Sequence, residues 1–466
     1  MKIWIAWLEL ISPLRDQFNR QRTFLWFATC VAGFCVRGDL AGVTSFVRAF
    51  GLRESCYDCL RNFFHTNAVD LDSLARKWTA IVIERFPGIV RVNDRICLIA
   101  DGLKFPKSGK KMPAVKRLHQ QSESNSKPEF IMGHSFQAIG LLCCIEKYAM
   151  CIPLIARIHE GLLFPNQAKA TLLDKMLQLL KSIVADQFLA IFIVDAYYCS
   201  SKIVKGLLKD GHHLITRARS NAVAYEAPKK SRKSKRGRPR KYGKKVKIKN
   251  LFRSDKMTII DSPVYSERNT SITYRCIDLM WRPTASLVRF VIVEHPMRGR
   301  IILMSTDLTL EPAKIIELYG YRFKIEVSFK QAIHTLGAYQ YHFWMKAMKP
   351  IKRHQGDQKL HSKTAHYQQQ VRRKMKAYHC YVQCAIIAQG SLQYLAACHQ
   401  ELIWKHFGSW LKTIRPGVLP SENVCSIAMY NTITEFLAGS FKNNKLQKFI
   451  RARIDLRRAE GSRLIA

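Results

Sequence analysis

Apolar positions along this chain change their spacing several times, and each change predicts a different kind of element. Up to about residue 90 they recur at helical intervals. Phe24 to Val36 is apolar until Arg37 interrupts it. That is the length of a core helix and falls short of the roughly 20 residues that span a bilayer. Asp39 as cap and Gly51 as stop predict a helix over Leu40 to Phe50, with a second from about Glu54 to His65. Two short helices around a Gly turn match a helix-turn-helix in outline, though the pattern alone favours an ordinary helical hairpin. In the first reading Arg53, Arg61, Asn62 and His65 face a nucleic-acid groove.

From about residue 90 the apolar runs shorten to strand length. Arg91 to Ala100 is the first, ending in Asp101, and a Lys-rich polar loop, Asp101 to Pro113, is expected after it. Phe130 to Cys144 and Lys147 to Ile158 predict two strands joined tightly enough to be antiparallel. Asn166 to Asp186 has helical spacing in Leu172, Leu173, Met176, Leu179 and Leu180. Phe188 to Asp195 reads as a buried strand, Ser200 to Lys209 as a helix closed by Gly211, and His212 to Arg219 as a fifth strand. The order is three strands, helix, strand, helix, strand. Pro228 to Arg253 then carries 14 Lys or Arg and no acid, a composition that predicts a solvated arm. Lys256 to Asp261, Ser271 to Trp281, Leu287 to His295 and Arg300 to Thr306 read as further strands, and Glu311 to Gly337 as one helix with Pro312 in its first turn. Beyond it, His354 to Gln370 reads as a polar loop, Ala377 to Tyr394 as an apolar helix, and Phe441 to Arg458 as a basic amphipathic helix. Three regions result: a helical 1–90, an α/β 91–340 with a basic arm at 228–253 and a β insertion at 254–310, and a basic, mainly helical 341–466.

Charge narrows the function. Lys plus Arg number 76 against 34 Asp plus Glu, a formal net charge of +42. Such a balance implies a polyanionic partner, nucleic acid first and an anionic membrane surface a distant second. The N-terminus lacks a signal-peptide pattern. A cytoplasmic protein without a membrane partner is the expectation. The 14 cysteines lie mostly in apolar surroundings, and Cys56-Tyr-Asp-Cys59 is a lone C-x-x-C without a second pair, read as two reduced cysteines on a helix.

Three acids stand out from this background. Asp101 and Asp195 each end a buried strand, where open α/β sheets bind ligands. Glu326 sits on the expected helix 311–337, where Tyr319, Arg322, Glu326 and Lys330 are three, four and four residues apart and share a face. On an isolated helix this is an ion-pair stripe. With two strand-end aspartates it becomes an oxygen-ligand set for two Mg²⁺ or Mn²⁺ ions acting on a phosphodiester. Arg322 and Lys330 then hold the phosphate, and Tyr319 orients one of its oxygens. In the arm, Arg236-Gly-Arg238-Pro-Arg240-Lys241 suits either a narrow A·T minor groove or phosphates generally. His119, His134, His212 and His213 have no metal-ligand spacing. Trp281 is read as core packing, with stacking on an unpaired base as the alternative.

Tyr319-x2-Arg322-x3-Glu326 resembles the Y-(2)-R-(3)-E-(6)-K signature of a branch of DDE-type bacterial insertion-sequence transposases. Asp101 in Leu-Ile-Ala-Asp-Gly and Asp195 in Ile-Val-Asp-Ala-Tyr-Tyr look like that family's first two acids. The likeness covers roughly 90 to 340 and departs at one position, where Ile333 replaces the family's Lys and Lys330 or His334 stands nearest to it. The resemblance implies a ribonuclease H-like fold, whose element order is the one read above, with a β insertion before the third acid. It also implies double-stranded DNA with terminal inverted repeats as partner, metal-dependent cleavage at element ends, transesterification by the freed 3′-hydroxyl, and a homodimer when two ends are paired. A non-catalytic DNA-binding protein and a structure-specific endonuclease are the rival readings.

Overall fold

A computed structural model describes residues 2–40, 42–120, 128–165, 170–184, 187–228, 240–253, 256–408, 415, 417–439 and 444–457. Its principal elements run in the order α1 (Gln21–Val36), α2 (Ser55–Phe64), β1 (Arg95–Pro106), β2 (Phe130–Ile145), β3 (Tyr148–Ile158), α3 (Leu172–Val184), β4 (Ala190–Val194), α4 (Ser201–Lys209) and β5 (His213–Arg217). Then follow β6 (Ser271–Trp281), β7 (Ser286–His295), β8 (Gly299–Ser305), α5 (Pro312–Gly320), α6 (Lys324–His334), α7 (Ala365–Cys398) and α8 (Lys445–Arg451). This is a mixed α/β architecture with helices at both ends.

The long strands lie in one sheet in the order β6-β7-β8-β5-β4-β1-β2-β3. β4 runs parallel to both β1 and β5, and the other neighbours are antiparallel. The first and fourth long strands are therefore neighbours. The β insertion does not hang apart, because β8 pairs with β5 and continues the same sheet. β4 is buried along its whole length, as an all-apolar Ala-Ile-Phe-Ile-Val run requires at the centre of a sheet.

α6 packs on β1 and β3, while α7 lies across β3 and α1. α7 has 34 residues, about 50 Å at 1.5 Å per residue. Its buried glutamines close the exposed edge of β3. Gln383 donates to the Leu154 carbonyl at 2.9 Å and Gln393 to that of Cys151 at 3.2 Å. Trp78 adds a third side-chain donor, to Pro153 O at 3.1 Å. Strand carbonyls that a neighbouring strand does not pair are thus satisfied. One buried apolar cluster takes in Trp7 and Phe27 from the N-terminal helices, Ile99 and Ile193 from the sheet, and Tyr381 and Phe449 from the C-terminal region.

Several expectations need correction. β1 does not stop at Asp101: it runs on to Pro106, paired with β2, so the expected Lys-rich loop begins only afterwards. The helix expected over Glu311 to Gly337 is broken into α5 and α6 by a 3₁₀ turn, Tyr321–Phe323. The polar stretch 354–370 is not wholly loop, since α7 begins at Ala365, with the Thr364 hydroxyl accepting from the Tyr367 N–H. Of the amphipathic helix expected over 441–458, residues 441–443 and 458 lie outside the described residues; α8 is the helix found within it, and its apolar face is buried with Phe449 edge-on to Trp26 at 4.9 Å. The end of the basic arm is not solvated loop: Lys245–Lys247 pairs with Val223–Tyr225, and Phe252 is buried. Phe323, in the 3₁₀ turn, is exposed. Trp281 is buried, as its packing reading holds. Among the described residues no helix is long and apolar enough to cross a membrane.

Candidate functional site

Strand register builds the site. Ile99 pairs with Ile193 in the parallel β1–β4 ladder, so two residues on Asp101 stands level with Asp195. Val194 pairs with Thr216 in the β4–β5 ladder, which sets Arg217 level with Asp195. Three adjacent strands thus present Asp101, Asp195 and Arg217 side by side, the last two at strand ends and Asp101 within β1. Asp195 is fixed locally: its carboxylate accepts from the Tyr197 N–H at 3.1 Å, and its carbonyl accepts from the Thr216 hydroxyl at 2.7 Å. Asp101 accepts from the Gly102 N–H at 2.7 Å.

Arg322, in the 3₁₀ turn between α5 and α6, reaches down to this row. Its guanidinium donates to Asp101 at 3.0 Å and to Glu326 at 2.8 Å, joining the strand acid to the helix acid. Asp101 is mostly covered, whereas the Glu326 side chain is 56% exposed. Burial, with Asp195 and Glu326 adding to it, lifts the Asp101 pKa to about 6 against the pull of Arg322. Burial also raises Asp195, again opposed by Arg322 and by the Tyr197 N–H. Burial works against the Arg322 charge, but Asp101, Tyr319 and Glu326 outweigh it and raise its pKa. The aspartates are therefore short of positive charge even with the Arg322 guanidinium beside them.

The break at Gly320 changes how the helix residues are shared out. A Cβ there would stand 3.1 Å from Val264, so glycine lets the turn press against that segment. Tyr319 is half-buried, and with Arg217 and Arg322 it lines a cavity of about 260 Å³. Lys330 is exposed a turn beyond Glu326, Ile333 is half-buried and His334 exposed. Arg240 and Lys241 are exposed at the start of the described part of the arm, while Arg236 and Arg238 lie outside the described residues. Arg217 was not singled out in the sequence. The fifth strand was expected to run to Arg219, whereas it ends at Arg217.

The donor chemistry of the acids fits a hard divalent cation, being carboxylate oxygen throughout. Their arrangement is not closed around one. Among the described residues no three His, Cys, Asp or Glu side chains stand together as a ligand set. Arg322 holds the Glu326 carboxylate on its own far nitrogen, and with it the charge that a cation would supply. A separate cleft of about 870 Å³, walled by Arg157, Lys175 and Arg372, includes none of the three acids. The four histidines without metal spacing are accounted for in part: His134 bonds Pro113 O at 2.8 Å and the Tyr341 hydroxyl at 2.8 Å.

Compared with known families, residues 13–269 match the model described as DDE superfamily endonuclease, more than half of the chain. That span takes in Asp101 and Asp195 and stops short of Glu326. No curated protein matches.

Proposed function

The chain belongs to the DDE superfamily of endonucleases, and from that premise we propose that it is a DNA transposase of an insertion sequence. It cuts the ends of its element and joins the freed 3′-hydroxyl to target DNA. The observation that carries this reading is the level pairing of Asp101 with Asp195, with Arg322 tying Asp101 to Glu326. The strand order β5-β4-β1-β2-β3 supports a ribonuclease H-like core. The net charge of +42 supports a DNA substrate.

In this reading Asp101, Asp195 and Glu326 hold Mg²⁺ or Mn²⁺. Bound there, divalent ions lower the pKa of the attacking water or hydroxyl and stabilise the leaving 3′ oxygen. The protein's own part is positioning. The Tyr197 N–H and the Thr216 hydroxyl fix Asp195, and the β2 ladder fixes Asp101. Arg322, now held by Asp101 and Glu326, would be available to the phosphate if bound cations met the charge of those carboxylates. Arg217 and Tyr319 flank it there, and Lys330 approaches the strand from the exposed side of α6. Arg240 and Lys241 continue the phosphate track, with Arg236 and Arg238 in the same motif. Two element ends call for two copies of the chain in the joining complex.

The test uses a plasmid carrying the gene's own flanking DNA, with Mg²⁺ or with chelator, and compares wild type with Glu326→Gln. Metal-dependent cuts at the flanks, lost in the variant while DNA binding persists, are expected, together with joined products. Cuts that never progress to joined molecules would reduce the protein to a nuclease. Equal cutting by both proteins would remove Glu326 from the ligand set.

A further inference from the structure

The described tryptophans are buried with one exception: Trp344 keeps 65% of its surface in water. It does not sit on a loose loop. Phe343 before it is buried, its ring parallel to Tyr378 at 5.9 Å and its carbonyl accepting the Tyr378 hydroxyl at 2.6 Å. Met345 after it is buried, and its N–H donates to Lys111 O at 3.0 Å. The backbone is pinned on both sides, so the indole is held outward by its neighbours.

Beside the indole is a hollow of about 580 Å³ walled by His65, Lys346, Gln370, Arg373 and Lys374, and no Asp or Glu among the described residues lines it. Lys374 donates to His65 Nε2 at 2.9 Å, and His65 Nδ1 lies 2.9 Å from Arg61 O. An Nε2 that accepts from Lys374 leaves Nδ1–H as donor, so the ring is the neutral tautomer. Burial, then the charges of Lys374, Arg373 and Arg61, hold the His65 pKa down to about 4. Burial, then Arg61 and Arg373, bring Lys374 down to about 8. Arg61 has Asp58 at 3.0 Å, but the cations of the hollow itself crowd together with no carboxylate lining it. A rigid, exposed aromatic face beside unneutralised cations has the chemistry of a nucleotide site, with the base stacked and the phosphate paired.

We propose that this hollow is a second DNA subsite, where an unstacked base lies on Trp344 and its phosphate meets Arg373, Lys374 and Lys346. It rests on the reading of DNA as substrate and adds a place on the DNA path. β1 carries the chain from Asp101 to Pro106, about 17 Å at a strand's rise per residue. The loop after it holds the Trp344 segment through Lys111. The subsite therefore lies apart from the acids and shares no lining residue with the cavity beside Arg322.

The experiment titrates a labelled oligothymidylate, and a duplex of equal length, into the full chain in chelator. Trp344→Ala is expected to weaken oligothymidylate binding by roughly 5- to 150-fold, the range for one lost base stack. Duplex binding should change by less than about twofold on the same scale. Trp344→Phe should restore most of the loss, and Arg373→Gln with Lys374→Gln should weaken both ligands and flatten the salt dependence. No loss with Trp344→Ala overturns the proposal, as does an equal loss with Ala and Phe. Because no cutting is read, a failure here with duplex binding intact leaves the catalytic reading untouched. A cleavage failure likewise says nothing against this subsite.

Discussion

Asp101→Asn in the absence of metal tests whether the acid row is short of positive charge. Burial, with smaller contributions from Asp195 and Glu326, lifts the Asp101 pKa from 3.8 to about 6 even with Arg322 at 3.0 Å. The folded chain therefore holds this proton more tightly than the unfolded chain does. Stability contributed by the group is full below the unfolded value and is lost as pH rises through the folded one. The distance from 3.8 to about 6, at about 1.4 kcal/mol per pH unit, comes to about 3 kcal/mol. Asparagine keeps the shape and removes the charge. Above about pH 7 the variant should be more stable by up to about 3 kcal/mol, less whatever the weakened Arg322 contact contributes. Below pH 3.8 the two should converge. Urea unfolding in chelator across this range, followed by tryptophan fluorescence, measures the difference. Excess Mg²⁺ should reverse the order, because a ligand of the folded state stabilises only the protein that binds it. A wild type more stable than the variant in chelator at about pH 8, or a gap that does not change with pH, would refute the reasoning.

Other changes have equally definite outcomes. Arg37→Leu removes a buried guanidinium that donates to Leu336 O at 3.0 Å, Ser45 at 2.9 Å and the Tyr381 hydroxyl at 3.1 Å, with the Phe34 ring centroid 4.5 Å away. It should cost about 3 kcal/mol or more in denaturant unfolding, since buried acceptors lose their donor. Lys107, held by the Tyr341 carbonyl at 3.1 Å and over that ring at 3.7 Å, is brought by burial from 10.5 to about 7. Its folded pKa lies below its unfolded one, so wild type should gain stability relative to Lys107→Met as pH climbs through that interval. A pH-independent difference in unfolding midpoints would contradict this. Duplex binding should fall steeply with salt, with a log–log slope of about −7 if roughly eight phosphates are met. A slope near zero would rule out the electrostatic account.

Which parts of this structure could be read in advance follows from the physics of each. The place of Asp195 was legible because an all-apolar run such as Ala190 to Val194 has room only in the middle of a sheet, and its first polar residue falls at the strand's end; Asp101 follows a similar run, but its strand continues to Pro106. The insertion strands were legible as segments of strand length. The break between α5 and α6 was not, because Gly320 to Phe323 lies inside a good helical period and Gly320 packs against Val264, a neighbour from far along the chain. The start of α7 was hidden for the opposite reason. His366 to Gln370 is polar, and the turn is helical because Thr364 caps it and the buried remainder of the helix extends it. The role of Arg322 as a bridge needed the strand register and the turn together, neither of which helix spacing alone contains.

The continuity of β8 with β5 has a consequence for how this protein can change over generations. Domains that meet through side chains can be exchanged whole, because their boundary tolerates a new neighbour. Here the boundary is a ladder, with Leu303, Met304 and Ser305 paired to Arg217, Thr216 and Ile215. Thr216 is the residue whose hydroxyl holds Asp195. A strand slipped by one residue would turn every side chain of β8 to the wrong face and break the register beside that acid. The inserted strands are therefore not a transplantable module. Length variation among descendants of this chain should accumulate in the basic arm and at the hairpin tips, and stop abruptly at residues 299–305.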